Sequence, residues 1–236
     1  MKEYKNYLFD LYGTLVDIHT DEENDLLWHR MSILLGMEGV LSTPETLKKK
    51  YMFGVANKEA SAKKHYGPGA EIDIAPVFAS FYEGGNVTAG EGEIAHLAQM
   101  FRIFSLEKLQ LFPGVPTVLQ TLKAKGKKVY LLSNAQALFT LPELRVLELE
   151  QYFDGIIISS QEGIKKPDKR LYQLALERYK LEPSETVMVG NDDRADCWGA
   201  FDAGLDSMYV FTAQSPKRTR PLPKNCRILN IITDII

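Results

Sequence analysis

Cysteine is scarce in this chain: 236 residues carry two, Cys197 and Cys226. Two thiols make neither a disulfide framework nor a metal-ligating pattern, so a reducing, cytoplasmic setting is expected. The four histidines, His19, His29, His65 and His96, are scattered without ligand spacing, which excludes a histidine-based metal site. No apolar run is long enough to cross a bilayer. The N-terminus lacks the apolar stretch and small-residue cleavage site of a secretory signal. A surplus of charge is missing too. The net charge of −3 gives no electrostatic case for nucleic acid or an anionic membrane. The short basic groups Lys48-Lys49-Lys50 and Lys217, Arg218, Arg220 read as solvated surface. A small molecule is the expected partner, and the chain is expected as a monomer or a weak homodimer.

What is present is an ordinary globular composition, 45% hydrophobic and 25% charged, long enough for one large domain or two small ones. The most informative stretch is Tyr7-Leu8-Phe9-Asp10-Leu11-Tyr12-Gly13-Thr14-Leu15. An apolar run with aromatic members stops at an acid, and a Gly-Thr turn follows. This reads as a buried strand that delivers Asp10 at its C-terminal end. Ligands in open α/β sheets sit beyond those ends.

Residues 17–107 read as helical throughout. Asp21 is the expected cap of a first helix carrying Leu26, Leu27, Met31, Leu34 and Leu35. Ser42 and Glu45 form a capping-box pair for a second, which runs towards Tyr66 and stops at Gly67-Pro68-Gly69. Residues 73–83 predict a third, ended by Gly84-Gly85, and 92–105 a fourth. The aromatic residues of this block, Trp28, Tyr51, Phe53, Tyr66 and Tyr82 among them, have the helical spacing of core. From Pro113-Gly114 onward strand and helix alternate: helix 115–125, strand 129–132, a helix through Leu149, strand 156–158, helix 168–180, strand 186–189, a helix towards Gly204, strand 207–211 and a final strand at 227–231. Alternation of this kind predicts an α/β fold, a doubly wound parallel sheet with helices on both faces. The division is a core from 1–16 and 108–236, and an all-helical insertion at 17–107.

Four polar segments end or follow the strands: Asp10 to Thr14, Ser133-Asn134, Lys165-Lys166-Pro167-Asp168, and Asn191-Asp192-Asp193 with Asp196. In a parallel sheet they meet along one edge. That edge then holds a nucleophilic carboxylate, a hydroxyl donor, an ammonium and several acids. Acids so crowded, with one lysine, repel unless a cation joins them.

In these segments and their order the chain resembles the haloacid dehalogenase-like (HAD) hydrolase superfamily, over its whole length. The resemblance implies a Rossmann-like core, a helical cap at 17–107 that selects substrate, and magnesium-dependent hydrolysis of a phosphate ester through an aspartyl-phosphate on Asp10. By similarity, magnesium is held by the Asp10 carboxylate, the Tyr12 carbonyl and Asp192. Asp196 is a direct or outer ligand, or instead holds Lys166. Ser133 and Asn134 bind phosphate oxygens, Lys166 neutralises charge on the transferring group, and Thr14 supports Asp10.

The chain departs from the family pattern twice. Family phosphatases carry a second aspartate two residues after the nucleophile, where Tyr12 stands. A phenol with a pKa of about 10 is a poor base at neutral pH, and losing a positioned acid–base group costs about 10²–10⁴-fold in rate. Asn191 stands where the family usually has an acid, and Asp192 comes one step later. Tyr12 is similar to the 2-haloacid dehalogenase branch, which needs no leaving-group acid, works without metal and uses a cap arginine for the substrate carboxylate. Arg30 and Arg102 are the candidates for that arginine, and Tyr172, six residues after Lys166, also matches the branch. The acidic cluster ranks the magnesium-dependent phosphatase ahead. A third reading is a phosphate-ligand-binding protein of low activity.

Overall fold

The computed structural model describes residues 2–83 and 87–236. Gly84 and Gly85, expected to end a helix, lie outside the described residues. Strand β1 (Asn6–Phe9) is central in a six-stranded sheet. It pairs in parallel with β4 (Lys128–Ser133) on one side and β6 (Thr186–Gly190) on the other. Outward of these lie β5 (Gly155–Ile158) on the β4 side, and β7 (Asp206–Val210) then β8 (Cys226–Leu229) on the β6 side, all parallel. The sheet is the doubly wound parallel one that the alternating sequence predicts.

The period-two alternation of strands sorts side chains onto two cores. Tyr7 and Phe9, with Val129, Leu131, Val187 and Val189, pack against helix α5 (Val115–Ala124). Leu8, Tyr130, Leu132 and Met188 pack against Leu171, Tyr172 and Ala175 of helix α7 (Lys169–Tyr179). Both faces are therefore apolar, as a sheet covered on both sides requires. Each fully buried large side chain is worth about 1.5–3 kcal/mol relative to exposure.

Helices α1 (Asp25–Met37), α2 (Pro44–Tyr66), α3 (Ala75–Ser80) and α4 (Glu91–Ser105) share a third core. Its hub is Phe101, whose ring meets those of Trp28, Tyr51, Phe78 and Phe139. Phe139 comes from α6 (Ala137–Val146), so this helical layer is packed directly onto the sheet's own helices. Phe53 and Tyr66 are exposed rather than core.

Three local expectations are corrected. The first helix is capped by Asn24, whose side chain accepts from the Leu26 amide. Asp21 closes a turn instead, accepting from the Glu23 amide. The second helix is capped by Thr43, not Ser42, because Pro44 suits the first helical position and Thr43 then reaches the Thr46 amide. The ends of the 17–107 segment are not helical: β2 (Val16–Thr20) and β3 (Leu106–Leu111) pair as an antiparallel ribbon. The chain that leaves the sheet and the chain that returns run side by side there, and each satisfies the other's backbone.

Candidate active site

Asp10 follows β1 directly, and its amide donates to the Val189 carbonyl of β6 at 2.9 Å. The strand ladder thus carries past the last strand residue and fixes the backbone beneath the carboxylate. Thr14 Oγ1 donates to Asp10 Oδ2 at 3.1 Å. The turn between them depends on Gly13, which has φ +81°, a conformation open to glycine. A Cβ there would sit 2.3 Å from Asn191 Nδ2, so the close approach of Asn191 also requires it.

Lys166 is the centre of the site. Its Nζ donates to Asp10 Oδ1 at 2.8 Å and to Asp196 Oδ1 at 2.7 Å. The lysine side chain is 1% exposed, so this pairing operates with little solvent screening. Burial pulls the ammonium's pKa down, but the charges of Asp10 and Asp196 outweigh it and raise it. Burial pushes the Asp196 carboxyl well above the usual aspartate range, with Lys166 pulling against that shift and Asp10 adding to it. The loop carrying Lys166 is clamped by Asn134. Asn134 Oδ1 accepts from the Lys166 amide at 2.7 Å, and Asn134 Nδ2 donates to the Lys166 carbonyl at 2.9 Å.

The acidic segment after β6 folds as a π-helical turn over Asp193–Trp198, with the Cys197 amide reaching back to the Asp192 carbonyl. Asp192 caps this turn: its Oδ1 accepts from the amides of Arg194 and Ala195, both at 2.8 Å. Asp196 Oδ2 accepts from the Asp192 amide at 3.0 Å. Both oxygens of Asp196 are therefore engaged within the protein. A Cβ on Gly190 would lie 2.1 Å from Asp196 Oδ2, so glycine is what lets that carboxylate in. Tyr172 is fully buried in the core beneath, and its hydroxyl donates to the Ala195 carbonyl at 2.6 Å.

Asp10, Tyr12, Asn134, Lys166, Asp192 and Asp196 line one cavity of about 180 Å³. Ser133 ends β4 at the same edge; it is fully buried, and its Oγ has no hydrogen-bond partner. Asp193 is also buried, with Oδ2 unpartnered. The sequence-predicted residues thus gather at one place, with Thr14 bonded behind Asp10. Asn191, part of the acidic segment expected at this edge, lines the cavity too, and Ala195, Gln214 and Pro216 join its wall without having been expected there. Neither Arg30 nor Arg102 lines it.

A second polar cluster adjoins the first and was not foreseen. The Tyr12 hydroxyl donates to Glu143 Oε2 and lies 3.0 Å from Thr140 Oγ1, both on α6. Glu143 Oε1 accepts from Arg102 Nε of α4 at 2.6 Å, and the guanidinium stands 4.8 Å from the Phe139 ring centroid. Burial, then the charge of Glu143, drives the Tyr12 phenol well above its ordinary pKa. One signal could have found Glu143: it shares the buried face of α6 with Phe139, Thr140 and Leu144, where the helical period calls for an apolar residue.

The donor set fits a hard divalent cation. Magnesium is commonly held by one or two carboxylates, with substrate phosphate and water completing its shell. Here Asp10, Asp192 and Asp196 are the carboxylates on the cavity, alongside Tyr12 and Asn191, and Asp196 already has both oxygens engaged within the protein. Among the described residues no group of three or more His, Cys, Asp or Glu side chains is arranged to hold a metal.

Comparison with known proteins gives the chain its relatives. The chain is 31% identical over 127 residues to the glyceraldehyde 3-phosphate phosphatase of Methanothermobacter thermautotrophicus, covering 54% of this chain and 56% of that protein. It is 37% identical over 108 residues to the phosphorylated carbohydrates phosphatase of Thermotoga maritima, covering 46% and 49%. The matches thus span about half the length of these relatives. The structure of 2-haloacid dehalogenase from Pseudomonas syringae pv. Tomato DC3000 superposes with a TM-score of 0.63 at 22% identity, covering 98% of this chain and 97% of that one, which shows a shared fold. The model of the haloacid dehalogenase-like hydrolases matches residues 4–204, and with that match the chain belongs to the haloacid dehalogenase-like hydrolase family.

Proposed function

We propose that this protein is a magnesium-dependent phosphatase of small phosphorylated metabolites, working in the cytoplasm, with residues 17–107 as the cap over its site. The observation that carries the reading is the buried Lys166 ammonium held between Asp10 and Asp196. Asp10 is the nucleophile. Its Oδ1 attacks phosphorus, the ester bond breaks, and the phosphoryl group rests on the aspartate until water removes it. Lys166 stabilises the charge that grows on the equatorial oxygens. Ser133, whose buried hydroxyl lacks a protein partner, donates to one of those oxygens, together with the Asn134 segment. Thr14 keeps Asp10 turned to the substrate. A magnesium ion held by Asp10, the Tyr12 carbonyl and Asp192 would neutralise repulsion between the carboxylate and the phosphate. Asp196, both of whose oxygens are engaged, acts through Lys166.

The Tyr12 hydroxyl donates a hydrogen bond to Glu143, so the phenol is not a free acid–base group for the reaction. Turnover is accordingly slow on esters of poor leaving groups and faster on aryl phosphates and other good ones. Tyr12 keeps the metal-free dehalogenase reading in play, but that reading needs an arginine on the cavity, and neither Arg102, bound to Glu143, nor Arg30 lines it. The deciding experiment is phosphate release from a panel of phosphate esters with magnesium, set beside chloride release from 2-chloropropionate without metal. Phosphate release abolished by chelator and by Asp10→Asn bears the proposal out. Metal-independent chloride release overturns it.

A further inference from the structure

The residues 67–74, between α2 and α3, lie against the loop that delivers Lys166. The Lys165 amide donates to the Gly69 carbonyl at 2.8 Å, and the Glu71 amide donates to the Gly163 carbonyl at 3.0 Å. Ala70 and Ile164 bridge in antiparallel fashion between them. This stitching carries the Glu71 carboxylate into the sheet's edge, where its side chain is only 9% exposed. There Glu71 Oε2 accepts from Ser159 Oγ at 2.9 Å. Ser159 is itself fully buried, and its Oγ accepts from the Ala135 amide at 2.9 Å. Ala135 follows the Ser133-Asn134 pair, and Asn134 grips the Lys166 backbone on both sides. The other oxygen of Glu71 faces Lys165 Nζ at 3.7 Å and accepts from the Ile72 amide at 2.9 Å.

We propose that Glu71 is a positioning residue for hydrolysis: by orienting the Ser159 hydroxyl toward the Ala135 amide and pinning the Lys165 loop, it holds the phosphate-binding turn and Lys166 in register. The proposal rests on the phosphatase reading above. The physical logic is that a hydroxyl has one proton. While Glu71 accepts it, Ser159 presents a lone pair to Ala135 and fixes the turn one residue beyond Asn134. With no acceptor at 71, the proton turns to the Ala135 carbonyl, 3.2 Å away, and the turn relaxes. A shift of about 1 Å at a reacting group can cost about 100-fold.

The test uses the full chain in four forms: Glu71→Ala, Glu71→Gln, Ser159→Ala and the Glu71→Ala/Ser159→Ala double. Hydrogen–deuterium exchange is followed at residues 133–137 and 164–168, with kcat and KM on the best ester and the inhibition constant of inorganic phosphate. Glu71→Ala is expected to exchange faster in both segments, to lose about 10–100-fold in kcat/KM and to bind phosphate about tenfold more weakly. Glu71→Gln, whose amide oxygen still accepts from Ser159, recovers to within about threefold of wild type. The double variant is no worse than Glu71→Ala, since both act on one hydrogen-bond chain. Should Glu71→Ala fail to fold, Ser159→Ala and Glu71→Gln carry the same contrast. Wild-type exchange and wild-type kcat/KM in Glu71→Ala would overturn the proposal. So would Glu71→Gln as impaired as Glu71→Ala, with a matching fall in Tm. A wild-type chain that hydrolyses no ester overturns the phosphatase reading, while the exchange data still decide whether Glu71 holds the two loops.

Discussion

The hydroxyl of Tyr12 donates to the carboxylate of Glu143, 131 positions further along the chain. This contact decides what the residue two places after Asp10 does. A phenol facing an open cavity could offer a proton to a leaving group. A phenol engaged with Glu143, which is in turn held by Arg102, instead joins the site to the helical layer.

Replacing Tyr12 by aspartate restores the acid that family phosphatases carry and frees Glu143. Tyr12→Asp is expected to raise kcat on alkyl phosphates by at least about tenfold. The gain should be smaller on aryl phosphates, whose leaving groups need less protonation. Steady-state rates on a matched pair of esters, with far-UV circular dichroism to verify folding, check this; an equal or lower rate on both esters contradicts it.

Lys166 is the counter-ion of two carboxylates and the proposed stabiliser of the transferring phosphoryl group. Lys166→Met is expected to lower kcat by about 10²–10³-fold. It also leaves two buried carboxylates without a cation, so denaturant unfolding at neutral pH should show a stability loss of about 3 kcal/mol. A variant as stable as wild type would mean the triad is wetter than its burial implies.

Arg102 and Glu143 pair across the boundary between α4 and α6, with side chains 16% and 7% exposed. Arg102→Met strands the Glu143 charge and should cost about 3 kcal/mol, whereas the Arg102→Met/Glu143→Leu double should recover much of it. Urea midpoints of the wild type, both single variants and the double measure the coupling. Additive losses would show that the pair contributes nothing of its own.

Asp154 gives a pH-dependent prediction away from the site. Partial burial pushes its carboxyl up, but hydrogen bonds from Lys123, the Val129 amide and Lys128 outweigh this and hold it below the ordinary aspartate value. The folded protein then binds this proton less readily than the unfolded chain. The stabilisation is therefore fully present above the ordinary aspartate pKa and is lost as pH falls through the depressed folded value. Asp154→Asn should be less stable than wild type at neutral pH, and the gap should close in acid. Unfolding midpoints from pH 7 down to the acid limb follow it, and a gap independent of pH would refute the assignment.

Removing divalent metal with a chelator should abolish phosphate release, and added magnesium should restore it. Asp192→Asn should raise the magnesium concentration needed for half-maximal rate, because it removes one of the three carboxylates on the cavity, and Asp196 is already engaged by Lys166 and the Asp192 amide. An unchanged requirement would move the ligand role to Asn191 or Asp193.

Legibility in the sequence followed the range of the interaction. β1, β4 and β6 were readable because an apolar run bounded by polar turns is a local signal, and the same runs placed Asp10, Ser133 and the acidic segment at strand ends. The π-helical turn at Asp193–Trp198 was not readable, because no local residue pattern distinguishes it from an ordinary helix start. The β2–β3 ribbon was missed because each strand makes sense only beside the other, and about 90 residues of chain lie between them.

Local chemistry along the chain sets the alternating elements, the apolar faces that cover the parallel sheet, and the residue types brought to one edge. Periodicity and turn chemistry are properties of neighbours along the chain. Packing between distant segments sets that Asp196 turns to Lys166, that Tyr12 turns to Glu143, and that Glu71 from the helical layer reaches Ser159. A buried polar atom must find a partner wherever packing leaves one, and that choice is made among residues far apart in number.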